Sequence, residues 1–250
     1  MNTQPIGIFD SGSGGLSVWK SIVSELPRES TVYVGDHTNI PYSNKTAAFI
    51  KKRVVSGIQL LLSKHAKIIV IACNTATVSG IEYFRKTFPG VPIVGVVPVV
   101  KTAAHVSRMK KFGILSTELT AKSVYQQNLI KTFASDCRVF SIGNTELVNL
   151  IEQGRKDSKR VNDLLEKILL PLMHKRIDVL VLGCTHFPFL RPQIQKIVGN
   201  KIKILDSGDA VGRHVKHILE EEKMLSKGQK PLYQFFTTGD EKKVSMVASH

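Results

Sequence analysis

Short apolar runs rich in β-branched residues recur along this 250-residue chain and constrain its fold more than any other feature. Most of the runs are continuous rather than alternating, which is typical of parallel strands that helices cover on both faces. We therefore predict an α/β fold with largely parallel sheets. The predicted strands are Ile6–Phe9, Thr31–Val34, Ile68–Ala72, Ile93–Val97, Phe112–Leu115, Arg138–Ile142, Val179–Leu182 and Ile202–Leu205. The helix-like stretches between them include Thr46–His65, Ala76–Thr87 and Ala121–Ala134.

A repeat relates the two halves of the chain. The recurring blocks are Ile6–Ser11 with Phe112–Thr117, Val32–Asp36 with Phe140–Asn144, and Ile69–Thr75 with Leu180–His186, at offsets of 106, 108 and 111 residues. Parallel strands all look alike, but that does not explain a cysteine at the end of matching strands. We predict two pseudo-symmetric α/β domains, residues 1–97 with 208–250 and residues 98–207. We expect the tail at Tyr233–Gly239 to pack on the first of them.

The first predicted strand leads into a loop of small residues, Asp10 to Gly15. Ligands of open α/β sheets bind at the carboxyl ends of strands, and small residues let backbone amides approach an anion there. The loop is neither GxGxxG, because position 17 is Ser, nor a P-loop. A plain tight turn therefore explains it equally well. Asp10 is either a helper of acid/base chemistry or the N-cap of the following helix.

Two of the three cysteines, Cys73 and Cys184, end equivalent strands. If the halves face each other, one thiolate removes a proton from a stereocentre while the opposing thiol protonates the other face, which inverts the centre. Ionising a thiol at pH 7 costs roughly 2 kcal/mol, and a neighbouring histidine or helix N-terminus reduces that cost. The third cysteine, Cys137, is expected to be an inert small hydrophobe. The hydrogen-bonding residues that follow the paired cysteines are Asn74-Thr75 and Thr185-His186.

Other interpretations of the cysteines stay open at this point. A Cys184–His186 nucleophile pair for acyl transfer is possible, but it leaves Cys73 without a role. A zinc site formed by Cys73, Cys184 and His186 has suitable ligand types but lacks the local spacing of usual sites.

Composition and charge exclude several classes of protein. No apolar run is long enough to span a membrane, and the polar start from Met1 to Pro5 does not resemble a secretory signal. Three cysteines without a CxxC pair fit a reduced, cytoplasmic compartment. Lys and Arg number 35 against 20 Asp and Glu, a formal charge of +15. The basic groups are short and not interleaved with aromatic residues, which favours a solvated surface over a dedicated nucleic-acid site.

Taken together, these motifs resemble the glutamate racemases, cofactor-independent enzymes of the aspartate/glutamate racemase superfamily. The matching blocks span residues 6 to 208, which is most of the chain. They are Ile8–Leu16, Gly35-Asp36 with Pro41-Tyr42, Ala72–Thr77, Leu182–Pro188 and Asp206–Gly208.

The resemblance implies a function and a site. It implies interconversion of L- and D-glutamate without cofactor or metal, supplying D-glutamate for peptidoglycan. It implies two α/β domains with the active site in the cleft between them, Cys73 accepting the proton of D-glutamate and Cys184 that of L-glutamate. Asp10, His186 and Glu152 are expected to assist the cysteines. The expected substrate contacts are Asp10, Ser11, Pro41, Tyr42, Ser43, Asn74, Thr75, Thr117, Thr185 and His186.

The sequence also departs from the family pattern. Ser43 stands where the family usually has Gly after Tyr42, and residues 96–103 differ slightly from the common pattern. Aspartate is the alternative substrate within the superfamily. The resemblance also implies a homodimer. Binding of nucleic acid is an alternative function suggested by the positive charge, and binding to DNA gyrase is one that the resemblance implies.

Overall fold

The computed structural model describes residues 4–228 and 230–248, so residues 1–3, 229, 249 and 250 of the predicted first domain lie outside the described residues. The chain divides into two compact units, Met1–Val96 with Gly208–His250, and Val97–Ser207. The strands are β1 Ile6–Asp10, β2 Thr31–Gly35, β3 Ile68–Ile71, β4 Ile93–Gly95, β5 Lys111–Ser116, β6 Arg138–Gly143, β7 Val179–Leu182, β8 Lys203–Leu205 and β9 Tyr233–Thr237. The helices are α1 Leu16–Glu25, α2 Ala47–Ser63, α3 Asn74–Thr87, α4 Val100–Val106, α5 Glu118–Lys122, α6 Val124–Phe133, α7 Glu146–Glu152, α8 Lys159–His174, α9 Arg191–Val198, α10 Gly208–Glu221 and α11 Glu241–Ala248. Three-residue or four-residue 3₁₀ turns lie at His37–Asn39, Tyr42–Asn44 and Phe187–Leu190.

Each unit contains one parallel sheet. Within the described residues, the first unit has five strands in the order β4-β3-β1-β2-β9 and the second has four in the order β6-β5-β7-β8. Read from the other edge, the second sheet is β8-β7-β5-β6, which is the order of the first four strands of the first sheet. The predicted fold class, two pseudo-symmetric α/β halves with parallel sheets, is confirmed.

The strand registers reproduce the sequence repeat. Gly7 of β1 pairs with Ile69 of β3, and its counterpart Gly113 of β5 pairs with Leu180 of β7. Gly7 and Gly113 are 106 residues apart in the chain, and Ile69 and Leu180 are 111 apart, the same offsets that relate the recurring blocks. The two halves therefore repeat the same strand pairing as well as the same sequence pattern.

The sheet topology explains why the candidate catalytic residues lie at particular strand ends. The chain leaves β1 for β2 on one side and then crosses to β3 on the other side of β1, so the sheet order reverses between β1 and β3. The same reversal occurs between β5 and β7. Ligands of open α/β sheets bind where the carboxyl ends of strands meet at such a reversal. Cys73 lies just beyond β3, and Cys184 just beyond β7.

Two local predictions need refinement. The helix predicted over Ala121–Ala134 is divided, because Ser123 has extended backbone angles and its hydroxyl accepts from the Gln126 amide as the N-cap of α6. The tail does return to the first unit, but as the full strand β9, parallel to β2 from Thr31–Tyr233 to Gly35–Thr237. Its sequence mixes polar and aromatic residues, because β9 is a partly exposed edge strand. It therefore lacks the continuous apolar pattern that predicts the buried strands.

Candidate active site

The loop after β1 is organised by the carboxylate of Asp10, which is fully buried. One of its oxygens accepts hydrogen bonds from the Gly12 and Gly15 amides, at 3.0 and 3.1 Å. A Cβ at Gly15 would lie 2.7 Å from the Asp10 Cβ, so the tight turn requires glycine there. Tyr33 Oη donates to the Gly12 carbonyl at 2.7 Å. Gly15 rather than Asp10 is the N-cap residue of α1, so the N-cap role considered for Asp10 is wrong. The Asp10 carboxylate instead holds the loop through backbone amides.

Cys73 lies between β3 and α3 and is 5 % exposed. It is the N-cap of α3, with its sulfur accepting from the Ala76 amide at 3.5 Å. Ser11 Oγ lies 3.4 Å from the same sulfur. A helix N-terminus and its amide groups favour negative charge, so both contacts suit a sulfur that becomes a thiolate.

The residues after Cys73 are buried with it. Asn74 and Thr75 begin α3 and are 3 % and 4 % exposed. Asn74 Nδ2 donates to the Val96 carbonyl at 3.3 Å, which ties the start of α3 to the segment after β4. Thr77 donates its hydroxyl to the Ile71 carbonyl at the end of β3. The first turn of α3 is therefore anchored to its own sheet on both sides.

Tyr42 is fixed by the buried carboxylate of Asp36, a residue of the Gly35-Asp36 motif. Its hydroxyl donates to Asp36 Oδ2 at 2.7 Å. Arg53 of α2 binds the same carboxylate through two nitrogens, at 2.8 and 2.9 Å. Burial works to raise the pKa of Asp36, but the hydrogen bonds it accepts, led by those from Arg53 and Tyr42, lower it to about 2. Burial and the Asp36 carboxylate raise the pKa of Tyr42, so its hydroxyl stays protonated.

The other two residues of this loop lie around Tyr42. Pro41 precedes the 3₁₀ turn and Ser43 lies within it, and both are half-buried. Ser43 therefore places a hydroxyl beside Tyr42 where the family pattern has no side chain.

Cys184 has a different environment in the second unit. It is 6 % exposed, and its sulfur lies 3.8 Å from His186 Nδ1. His186 Nε2 lies 2.6 Å from Glu152 Oε1, at the end of α7. Burial works to lower the pKa of His186, but the hydrogen bonds to Cys184 and Glu152 outweigh it and raise the pKa well above its usual value. A protonated imidazole donates from both nitrogens, one to the carboxylate and one to the sulfur.

Thr117 occupies, after β5, the place that Ser11 occupies after β1. It is 5 % exposed, and its hydroxyl caps α5 by accepting from the Thr120 amide. Thr185 follows Cys184 and is also 5 % exposed. The Phe187 amide donates to the Cys184 carbonyl, which tightens the turn that carries Thr185 and His186.

The structure thus groups the predicted site residues by unit. In the first unit, Asp10, Ser11, Cys73, Asn74 and Thr75 surround the ends of β1 and β3. In the second, the corresponding group lies around the ends of β5 and β7. It comprises Thr117, Glu152, Cys184, Thr185 and His186.

Sequence reasoning missed two supporting residues, Arg53 and His37. Arg53 carries no local motif, since it reaches Asp36 from seventeen residues further along the chain. His37 directly follows the Gly35-Asp36 motif, and that position is the one sequence feature that could have indicated its role.

The described part of the chain has neither a membrane-spanning helix nor a cluster of metal-binding side chains. No helix in it is both long and apolar enough to cross a membrane. Nor do residues 4–228 and 230–248 contain a group of three or more His, Cys, Asp or Glu side chains that could hold a metal ion.

Comparison with known proteins identifies relatives of this architecture. The Asp/Glu/Hydantoin racemase family model matches residues 6–215. The glutamate racemase of Pseudomonas paraeruginosa PA7 is 40% identical over 236 residues, covering 94% of this chain and 89% of that protein.

Two solved structures are similar throughout. Glutamate racemase isoform RacE1 from Bacillus anthracis superimposes with a TM-score of 0.90 at 29% identity, covering 100% of this chain and 94% of that one. Escherichia coli glutamate racemase, solved with L-glutamate and the activator UDP-MurNAc-ala, gives a TM-score of 0.87 at 32% identity, covering 98% and 92%. The chain therefore belongs to the Asp/Glu/Hydantoin racemase family of isomerases, within its glutamate racemase group.

Proposed function

We propose that this enzyme interconverts L- and D-glutamate by a two-base mechanism in which Cys73 and Cys184 are the acid/base groups, and that it needs no cofactor. The observation that carries the proposal is the placement of the two cysteines. Each follows the third strand of one of two sheets with the same strand order, beyond the point where that order reverses. The two units, as divided above, are proposed to be the two domains of the enzyme.

The reaction requires a thiolate and a thiol with opposite tasks. In one direction the Cys73 thiolate removes the Cα proton of D-glutamate, and the Cys184 thiol protonates the resulting carbanion from the other face. In the other direction Cys184 removes the proton of L-glutamate and Cys73 returns one. Each turnover moves one proton onto one sulfur and one proton off the other, so no oxidant or reductant is consumed.

The environment of Cys73 supports its role through neutral donors. The Ser11 hydroxyl and the Ala76 amide both lie within hydrogen-bonding distance of the sulfur. The carboxylate of Asp10 fixes the loop that carries Ser11 by accepting from the Gly12 and Gly15 amides. We propose that Asp10 assists Cys73 in this way as well as through its charge.

The environment of Cys184 supports its role through an ionised pair. His186, protonated and held by Glu152, gives the sulfur a hydrogen-bond donor and a positive charge. These two residues are proposed to assist proton transfer at Cys184.

The substrate is proposed to bind through short polar groups next to the cysteines. The carbanion places negative charge on the substrate carboxylate, and amide and hydroxyl donors stabilise that charge. The proposed contacts are Asp10, Ser11, Pro41, Tyr42, Ser43, Asn74, Thr75, Thr117, Thr185 and His186.

The test is racemisation in deuterated water. Each turnover from either enantiomer of glutamate should place one solvent deuterium at Cα, as followed by circular dichroism and proton NMR. Aspartate is assayed in parallel, and a higher kcat/KM for aspartate would reassign the substrate. Inversion without deuterium incorporation would refute proton transfer through exchangeable thiols.

The product D-glutamate is proposed to supply peptidoglycan synthesis. Depletion of the protein should then stop growth unless D-glutamate is added. Rescue by L-glutamate alone would contradict this role.

A second proposed role is supported by the formal charge of +15. It is binding of nucleic acid by a homodimer, and binding to DNA gyrase is the related role that the family resemblance suggests. DNA affinity that falls as salt is raised, or inhibition of supercoiling by a variant lacking both paired cysteines, would support it. Sedimentation measures the assembly, and DNA binding that does not depend on salt would count against an electrostatic role.

A further inference from the structure

His37 joins three separate segments of the first unit. It begins the 3₁₀ turn that follows β2. Its Nε2 lies 3.0 Å from Ser13 Oγ in the loop after β1. Its Nδ1 lies 2.8 Å from Thr237 Oγ1 at the end of β9 and 3.2 Å from the Gly35 carbonyl. Both ring nitrogens therefore have partners, and these partners lie on three segments of the fold.

The imidazole also occupies a slot that two glycines leave open. A Cβ at Gly35 would lie 2.3 Å from His37 Cε1, and a Cβ at Gly239 would lie 2.8 Å from His37 Cβ. Both distances are shorter than real non-bonded carbon contacts. The Gly239 amide donates to Thr237 Oγ1 at 2.9 Å, which fixes the hydroxyl that meets the ring. Packing and hydrogen bonding thus hold the ring in one place.

Either neutral form of the ring keeps its contacts with Ser13 and Thr237. With the proton on Nδ1, the ring donates to the Gly35 carbonyl and Thr237 Oγ1, and Nε2 accepts from the buried Ser13 hydroxyl. With the proton on Nε2, the ring donates to Ser13 Oγ and Nδ1 accepts from the Thr237 hydroxyl. Ser13 is two residues from Ser11, whose hydroxyl lies 3.4 Å from the Cys73 sulfur. The position of the ring therefore bears on the geometry at Cys73.

We infer that His37 is a positioning residue for the reaction at Cys73. Together with Thr237 it fixes the loop from Asp10 to Gly15 against the end of β9, and so sets the distance between Ser11 and the thiol. His37 acts through Ser13 and does not touch the reacting atoms. The inference rests on the proposed racemisation. It also gives β9, the additional strand of the first sheet, a part in catalysis.

The test compares His37→Phe, which keeps a ring but removes the hydrogen bonds of both ring nitrogens, with Thr237→Val and Thr237→Ser. Loss of a positioning hydrogen bond should lower kcat/KM for glutamate about 3- to 10-fold in His37→Phe and Thr237→Val. Thr237→Ser, which retains a hydroxyl, should stay close to wild type. His217→Phe is the matched control, because this histidine lies on α10 of the same unit and is mostly exposed.

A readout specific to Cys73 separates positioning from a general structural effect. Slower proton removal by Cys73 should increase the Cα-deuterium isotope effect on kcat/KM for labelled D-glutamate and decrease it for labelled L-glutamate. A smaller folded fraction lowers the rate without changing isotope effects. Wild-type kcat/KM and isotope effects in both His37→Phe and Thr237→Val would overturn the inference.

The remaining outcomes are also decisive. If His37→Phe fails to fold, the Thr237 pair carries the same comparison, and equal values in Thr237→Val and Thr237→Ser would overturn the inference. A wild-type enzyme that is inactive on glutamate would instead refute the proposed function.

Discussion

Cys73 and Cys184 occupy equivalent places in two sheets of the same topology, yet their surroundings differ in kind. The Cys73 sulfur meets neutral donors, the Ser11 hydroxyl and the Ala76 amide. The Cys184 sulfur meets His186, whose pKa is raised and which is paired with Glu152. The first unit also has an ionised network, but it holds Tyr42 through Asp36. The duplicated fold thus determines the position of each thiol but not the groups that stabilise its negative charge.

Removing either thiol should have the largest effect and should show that both are needed. Cys73→Ser and Cys184→Ser replace a thiol by a hydroxyl, whose much higher pKa makes it a poor base. We expect kcat/KM to fall by at least about 10³-fold in each variant, as measured by circular dichroism with both enantiomers. Cys137→Ser is the matched control, since this half-buried cysteine contacts Asp136 in the second unit. Substantial racemisation by either single variant would refute the two-base mechanism.

Replacing His186 should have the next largest effect and should be specific to Cys184. His186→Asn removes the positive charge, and we expect kcat to fall about 10²-fold. The two enantiomers have equal free energies in water, so kcat/KM must fall by the same factor in both directions. The isotope effect distinguishes the sides, because it should rise for labelled L-glutamate and fall for labelled D-glutamate. The opposite pattern would assign His186 to the other proton transfer.

The raised pKa of His186 also fixes the sign of a pH effect. A histidine whose pKa is raised by folding stabilises the folded state below its unfolded pKa, and this contribution is lost as pH rises through the folded value. Because His186 is proposed to support Cys184 in its protonated form, wild-type kcat/KM should also decline on the alkaline side as His186 loses its proton. Glu152→Gln should move that decline to lower pH, because the carboxylate helps to hold the proton. An unchanged pH profile of kcat/KM in Glu152→Gln would contradict the assigned pairing of His186 with Glu152.

The sequence predicts some of this comparison and not the rest, for physical reasons. The offsets between recurring blocks predict that the second half repeats the strands of the first, and the matching registers of Gly7 with Ile69 and of Gly113 with Leu180 agree with that repeat. The strand order and register themselves are seen only in the structure. Contacts between side chains that are far apart in the sequence leave no comparable pattern in it. Arg53 reaches Asp36 only because α2 packs beside the sheet. The place of Glu152 could be suggested by family resemblance alone, because its contact with His186 spans 34 residues.

The Asp36 network should stabilise the folded state by about 2 kcal/mol at neutral pH, and this contribution should disappear at low pH. Its pKa is lowered from 3.8 to about 2, so its contribution is present above the unfolded value and is lost as pH falls from about 4 to 2. Urea unfolding at a series of pH values should show a weaker acid destabilisation in Asp36→Asn by about that amount. Glu82→Gln is the control, since this exposed carboxylate pairs only with Arg85 on the surface of α3. Equal acid sensitivity in wild type and Asp36→Asn would show that the network does not survive in solution.

The smallest effect should come from Ser11→Ala, and it sharpens the comparison most. Its hydroxyl is one of two neutral donors at Cys73, and a neutral hydrogen bond contributes about 0.5–1.5 kcal/mol. We therefore expect kcat/KM to fall about 2- to 10-fold, with the isotope effect rising for labelled D-glutamate and falling for labelled L-glutamate. That is the reverse of the His186→Asn pattern. Thr117→Ala, at the equivalent place in the second unit, shows whether the effect belongs to Cys73. If Ser11→Ala and His186→Asn shifted the isotope effects in the same direction, the two sulfurs would not have separate supporting groups, and the difference in their surroundings would have no catalytic meaning.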